Sequence, residues 1–110
     1  MNASPPPFAI ELEPAAGDSV RLEVKGELDL STSPRLEEAL GRAFDRGTSV
    51  VLDLSRVAFI DSTGLNVLVA ALRSCEQNGC SLAVSPDLPS QVRRVLQITG
   101  IDGVLPIASE

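Results

Sequence analysis

The segment 49–76 changes hydrophobic period at a single point. SVVLDL is a continuous apolar run of strand length, whereas Leu65, Leu68, Val69, Leu72 and Cys75 recur with the period of one helical face and stop at Asn78 and Gly79. Between the two stands a polar tetrapeptide, DSTG, at residues 61–64. A run of this kind suits a strand covered on both faces at the centre of a sheet. Feeding it straight into an amphipathic helix makes a strand-to-helix crossover, the unit of a parallel α/β arrangement.

The rest of the chain extends that pattern. FAIELE and SVRLEVKGEL alternate apolar with polar residues around the turn-like PAAGD, which predicts an antiparallel hairpin. In STSPRLEEALGRAF, Leu36, Ala39, Leu40, Ala43 and Phe44 line one helical face, with Ser33 and Pro34 as N-cap and first helical residue and Gly47 as the stop. CSLAVS reads as a short strand. PDLPSQVRRVLQITG reads as a third helix with Val92, Val95 and Leu96 on its face and Gly100 at its end, and GVLPI as a last strand. The predicted order is ββαβαβαβ: an α/β domain with a mixed, mostly parallel sheet whose first strand is antiparallel. With 110 residues there is material for one core. The proline-rich start predicts a disordered tail over 1–7 and a domain over 8–110.

Composition removes whole classes of function. A net charge of −6 opposes phosphate backbones and anionic lipid surfaces, so no direct nucleic-acid partner is expected. No apolar run reaches membrane-spanning length and the start lacks a signal peptide's charged and apolar regions, so a cytoplasmic location is expected and the NAS sequon at Asn2 is accidental. The absence of histidine removes Ser-His nucleophile activation and His-based zinc sites. Cys75 and Cys80, spaced C-x4-C with no further ligands nearby, read as reduced structural thiols. No metal and no cofactor is expected.

DSTG lies where the loop after the central strand turns into the second helix. The first N–H groups of a helix lack partners within it, so Asp61, Ser62 or Thr63 can each cap them, and Gly64 permits close approach. One cap needs one oxygen, and three successive candidates are present. Ligands of open α/β sheets gather at the carboxyl ends of strands, where this loop lies. No base stands beside Ser62 in the motif and no phosphate-binding loop is present, so catalysis is not expected. A hydroxyl that is acted upon fits better.

GELDLSTSPRLEEAL, VVLDLSRVAFIDSTGLNVLVAAL and SPDLPSQVRRVLQITGIDGVLPI together resemble a STAS domain of the anti-sigma factor antagonist type, over nearly everything from Phe8 to Ile107. FIDSTGL between the apolar strand and helix is the most specific piece. The resemblance implies a bacterial regulator of transcription that works by partner switching. The unphosphorylated form binds an anti-sigma factor, a serine kinase, and so frees a sigma factor. Phosphorylation of the Ser after the motif's Asp, here Ser62, ends that binding, and a phosphatase resets it. Asp29, the acid of GELD, is implied to lie on a neighbouring loop near the phosphoacceptor, although an Asp there equally caps its own turn.

The second helix carries a polar strip of Asn66, Ala70, Arg73, Ser74 and Gln77, with Val67 at its edge, that adjoins Ser62. It is either a solvated face or a contact surface. The predicted partner site is therefore Asp29, Asp61, Ser62, Thr63, Gly64, Asn66, Val67, Ala70 and Arg73. An alternative is a docking subunit of a signalling or lipid-transport assembly, in which Ser62 is a contact residue that is never phosphorylated. An enzyme is the reading that the missing His, phosphate loop and metal ligands favour least.

Overall fold

The structure, a computed structural model, describes residues 7–107. Strands β1 (Ala9–Pro14), β2 (Ser19–Leu28), β3 (Ser49–Ile60) and β4 (Ser81–Val84) form one sheet in the order β1-β2-β3-β4. The β1–β2 pair is the expected antiparallel hairpin, and β2–β3 and β3–β4 are parallel. Helices α1 (Ser33–Arg46) and α2 (Ser62–Asn78) make the two crossovers that parallel pairing requires, and α3 (Ser90–Thr99) follows β4. The predicted α/β domain with a mixed, mostly parallel sheet is what is observed. Of the proposed tail, residues 1–6 lie outside the described residues.

One cluster of buried side chains holds the layers together. Val20, Leu22, Val24 and Leu28 of β2 meet Leu36, Ala39, Leu40 and Ala43 of α1, Leu65, Leu68 and Leu72 of α2, and Val92 and Leu96 of α3. The helices thus share one face of the sheet. The opposite face carries the alternate residues of β2, from Ser19 to Glu27, which are only half-buried. SVVLDL was expected to be covered on both faces, but Val51 on that second face is only half-buried. Asp53 of the same run is buried there and pairs with Arg21 of β2. Burial raises the Asp53 carboxyl, but bonds from Ser55 and the Arg21 guanidinium outweigh it and hold the pKa below the usual value.

Strand β3 runs twice as far as SVVLDL, up to the residue before Asp61. Two register shifts against β2, between Glu23 and Lys25 and between Gly26 and Glu27, interrupt the pairing. Its core residues are consequently Val50, Leu52, Leu54, Val57 and Ile60, a spacing that drifts out of period 2.

Three termini also differ from expectation. Helix α1 begins at Ser33 with Thr32 in the cap position and no side-chain cap bond, so Ser33 is not the N-cap. A turn built on Asp29 takes over that work, and the Ser33 N–H donates to Asp29 O at 2.9 Å. Gly47 ends α1 as expected, in an extended conformation (φ −159°), and glycine is needed there because a Cβ would lie 2.6 Å from Asp18 O. Helix α3 starts at Ser90, after Pro89 in an extended conformation, which shortens the expected PDLPSQ start. GVLPI does not form a full strand: a 3-10 turn occupies Ile101–Gly103, and a single parallel bridge joins Val84 to Ile107. Pro106 has no N–H to donate, and it accepts from Val84 N at 2.8 Å.

Candidate functional site

The carboxyl ends of β2 and β3 lie side by side, with Leu28 opposite Ile60 and Asp61 N donating to Leu28 O at 3.1 Å. Two polar turns leave the sheet there. The first is a closed turn on Asp29, whose Oδ1 accepts from Ser31 N at 3.0 Å, Ser31 Oγ at 2.7 Å and Thr32 N at 3.2 Å. Thr32 Oγ1 accepts from Asp29 N at 2.9 Å and donates to Glu27 O at 2.7 Å. The Ser31 hydroxyl is the main cause that holds the Asp29 carboxyl below its usual pKa; desolvation opposes it, and the Ser31 and Thr32 N–H groups and the Thr32 hydroxyl assist. Asp29 thus sits beside the DSTG turn, with its carboxylate engaged in its own turn.

The second turn is DSTG. Asp61, extended at φ −120°, is the N-cap of α2 and accepts from Thr63 N at 2.9 Å and Gly64 N at 3.4 Å. Of the three candidate caps, the Asp takes the role. The Thr63 hydroxyl also donates to Asp61, and the buried Ser33 hydroxyl lies 3.2 Å from Thr63 Oγ1 and donates to Asp29 O at 2.6 Å. Ser33 therefore ties the two turns together, a role that its position before Pro34 did not reveal. Gly64 is buried, and a Cβ on it would lie 3.0 Å from Ile60 Cγ1 and 3.1 Å from Leu28 Cβ. The close approach it permits is that of α2 to the sheet.

Ser62 is left outside this network. It is exposed on the first turn of α2, and its hydroxyl has no hydrogen-bond partner among the described residues. From it the predicted strip runs along α2: Asn66, Ala70, Arg73, Ser74 and Gln77 are all exposed and Val67 is half-buried. Beside the strip a cavity of about 240 Å³ opens between α1 and α2, where Leu40, Gly41 and Phe44 face Val67, Ala70 and Ala71. Sequence reasoning missed its α1 wall. It also missed Leu30, 77% exposed in the Asp29 turn, and Phe59, 38% exposed near the end of β3. The signal for Leu30 was available, since it is a lone large apolar residue inside a polar turn.

The arrangement presents one free hydroxyl at the positive end of a helix, where an added anion is stabilised by the helix dipole. Among the described residues no group of three or more His, Cys, Asp or Glu side chains is placed to hold a metal ion. No described helix is long and apolar enough to cross a membrane.

The chain is similar to known proteins over most of its length. The family described as "Mlab, STAS domain" matches residues 12–106. The anti-sigma-B factor antagonist of Listeria monocytogenes is 33% identical over 101 residues, covering 91% of this chain and 88% of the relative. A crystal structure of an anti-sigma factor antagonist from Mycobacterium paratuberculosis superposes with a TM-score of 0.83 at 28% identity, over 99% of this chain and 92% of that one. The unphosphorylated anti-sigma factor antagonist SpoIIAA shares the fold, with a TM-score of 0.74 at 24% identity over 93% of this chain and 90% of its own. With these matches over nearly its whole length, the chain belongs to the STAS domain family.

Proposed function

We propose that this chain is a cytoplasmic anti-sigma factor antagonist, a binding protein rather than an enzyme, whose unphosphorylated form binds an anti-sigma factor kinase and so releases a sigma factor. Phosphorylation of Ser62 ends the binding and a phosphatase restores it. The observation that carries this reading is the division of labour in DSTG: Asp61 caps, the Thr63 hydroxyl is engaged, and Ser62 alone is exposed with a free hydroxyl. The contact surface is Ser62, the Asp29 turn and the α2 strip of Asn66, Val67, Ala70 and Arg73.

The electrostatics suit a switch that acts on the interface and not on the fold. A phosphate brings a charge of about −1.5 to −2 to the first turn of α2, where the helix dipole offsets it. At a desolvated contact beside Asp61 the same charge weakens binding strongly unless a partner cation meets it. Incubation with the cognate anti-sigma kinase and Mg-ATP, followed by mapping of the tryptic peptide 57–73, is expected to place one phosphate on Ser62. Phosphate on Thr63, or none at all, defeats the proposal. Ser62→Asp is expected to weaken the complex by about tenfold or more, which needs only ~1.4 kcal/mol, while Ser62→Ala still binds.

A second reading is a docking subunit of a signalling or lipid-transport assembly, with the exposed α2 strip as its contact surface. There Ser62 is an unmodified contact. Co-purification with a membrane permease that tolerates Ser62→Asp, together with no phosphate on Ser62 in cells, selects it.

A further inference from the structure

The other end of α2 brings together the chain's two cysteines. Cys75, on the last buried turn, is 1% exposed, and Cys80, which follows Gly79 at φ 72°, is half-buried. Cys80 N donates to Cys75 O at 3.2 Å, the long bond of a Schellman turn, and Cys80 Sγ lies 3.7 Å from the same oxygen. With N–Cα about 1.5 Å and carbonyl O to Cα about 2.4 Å, that bond holds the two Cα atoms within about 7 Å of each other, at the reach of a disulfide. The side chains flanking a Schellman turn also meet in an apolar contact. C-x4-C is thus the spacing that sets one thiol against the other. Burial first, and then the hydrogen bond and charge of the Cys80 thiol, push the Cys75 thiol up to about 12.

We infer that Cys75 and Cys80 are a modification site, a thiol pair that a small peroxide oxidises to an intrachain disulfide. Cys80, the more accessible of the two, reacts first. It loses its proton to solvent, its sulfur attacks one peroxide oxygen and the O–O bond breaks. The departing hydroxide takes up a proton and leaves as water, and Cys80 is then a sulfenic acid. The Cys75 sulfur attacks the Cys80 sulfur, the S–O bond breaks, and the departing hydroxide takes the Cys75 proton to leave as a second water. Two thiols are oxidised by two electrons and one peroxide is reduced to two waters. Cys75 is the resolving thiol because it has almost no access to solvent and so does not meet the peroxide first. The site lies at the opposite end of α2 from Ser62 and is independent of the reading proposed for that residue.

The test is hydrogen peroxide added to the full chain in native buffer and in urea. After the reaction the protein is unfolded, its thiols are alkylated, and it is cut with trypsin. Both cysteines fall in the peptide 74–93, between Arg73 and Arg93. In native buffer that peptide is expected without alkylation and lighter by two hydrogens, in a protein that stays monomeric on a non-reducing gel and regains both thiols with dithiothreitol. Cys75→Ala is expected to stop at oxygen adducts on Cys80, and Cys80→Ser to leave Cys75 alkylatable. Oxygen adducts on Cys80 of the unsubstituted protein in place of the bridge overturn the inference. So do disulfide-linked dimers, or a bridge that forms in urea and not in native buffer.

Discussion

The two ends of α2 are closed by opposite chemistry. At the amino end a charged side chain does the work: Asp61 accepts from two backbone N–H groups and one hydroxyl, and Ser33 links that cap to the Asp29 turn. At the carboxyl end no charged side chain caps the helix. Gly79 turns the chain in the left-handed region and two cysteines close the contact beneath it. The polar end leaves one hydroxyl, Ser62, free at the surface, while the apolar end leaves the Cys80 sulfur against the Cys75 carbonyl. A helix whose amino end is fixed by its neighbours, and not by Ser62, is one on which Ser62 can be modified without loss of fold.

The largest expected effect comes from breaking the polar end. Asp61→Ala removes the acceptor for Thr63 N and Gly64 N and leaves the Thr63 hydroxyl short of a partner, for a loss of about 2 kcal/mol by chemical denaturation. Asp61→Asn, which keeps an acceptor oxygen, is expected to recover most of it. Equal losses for the two variants would mean that the carboxylate charge, and not the cap geometry, holds this end.

Breaking the apolar end is expected to cost less. Gly79→Ala meets nothing within 4 Å, so its penalty is purely the left-handed backbone, about 1 kcal/mol or ~5 °C in Tm. Gly79→Asn is expected to cost less than Gly79→Ala. A Gly79→Ala loss larger than that of Asp61→Ala would reverse the ranking of the two ends.

Ser62 sharpens the comparison by its lack of effect. Because it is exposed and Asp61 is the cap, Ser62→Ala is expected to change stability by less than about 0.5 kcal/mol. A loss near 1 kcal/mol would show that the Ser62 hydroxyl helps close the helix, and phosphorylation would then strain the fold as well as the interface.

How much of this was legible in the sequence follows the same division. The break in period at DSTG located the start of α2 and the exposed strip, because a single helix face is written in one stretch of sequence. Which of three adjacent oxygens caps the helix was not written there, since Asp, Ser and Thr are all competent and tertiary contacts decided among them. The second half of β3 was hidden because its two register shifts move the core positions from Leu54 to Val57 to Ile60, and no fixed period survives. The Ser33 link joins residues 30 apart, and the cavity between α1 and α2 needs both helices in place before it exists.

The smallest effect is the response of the polar end to acid. The Asp29 carboxyl is held below its usual pKa chiefly by the Ser31 hydroxyl, so the ionised form is the one the turn favours. A carboxyl depressed by folding adds stability above its unfolded pKa, near 3.9, and that contribution is lost as pH falls through the lower folded pKa. Asp29 is solvent-facing, so the change is expected as a local loosening and not as global unfolding. In an amide NMR titration from pH 6 downward, the Ser31 and Thr32 resonances are expected to move together, with a midpoint below that of an unstructured Asp. Cys80 at the other end of α2 has no carboxylate among its bonds, so its amide is expected to stay still over the same range. Simultaneous movement at both ends would mean that acid acts on the whole helix, and a Ser31 midpoint at or above 3.9 would mean that the turn does not favour the carboxylate.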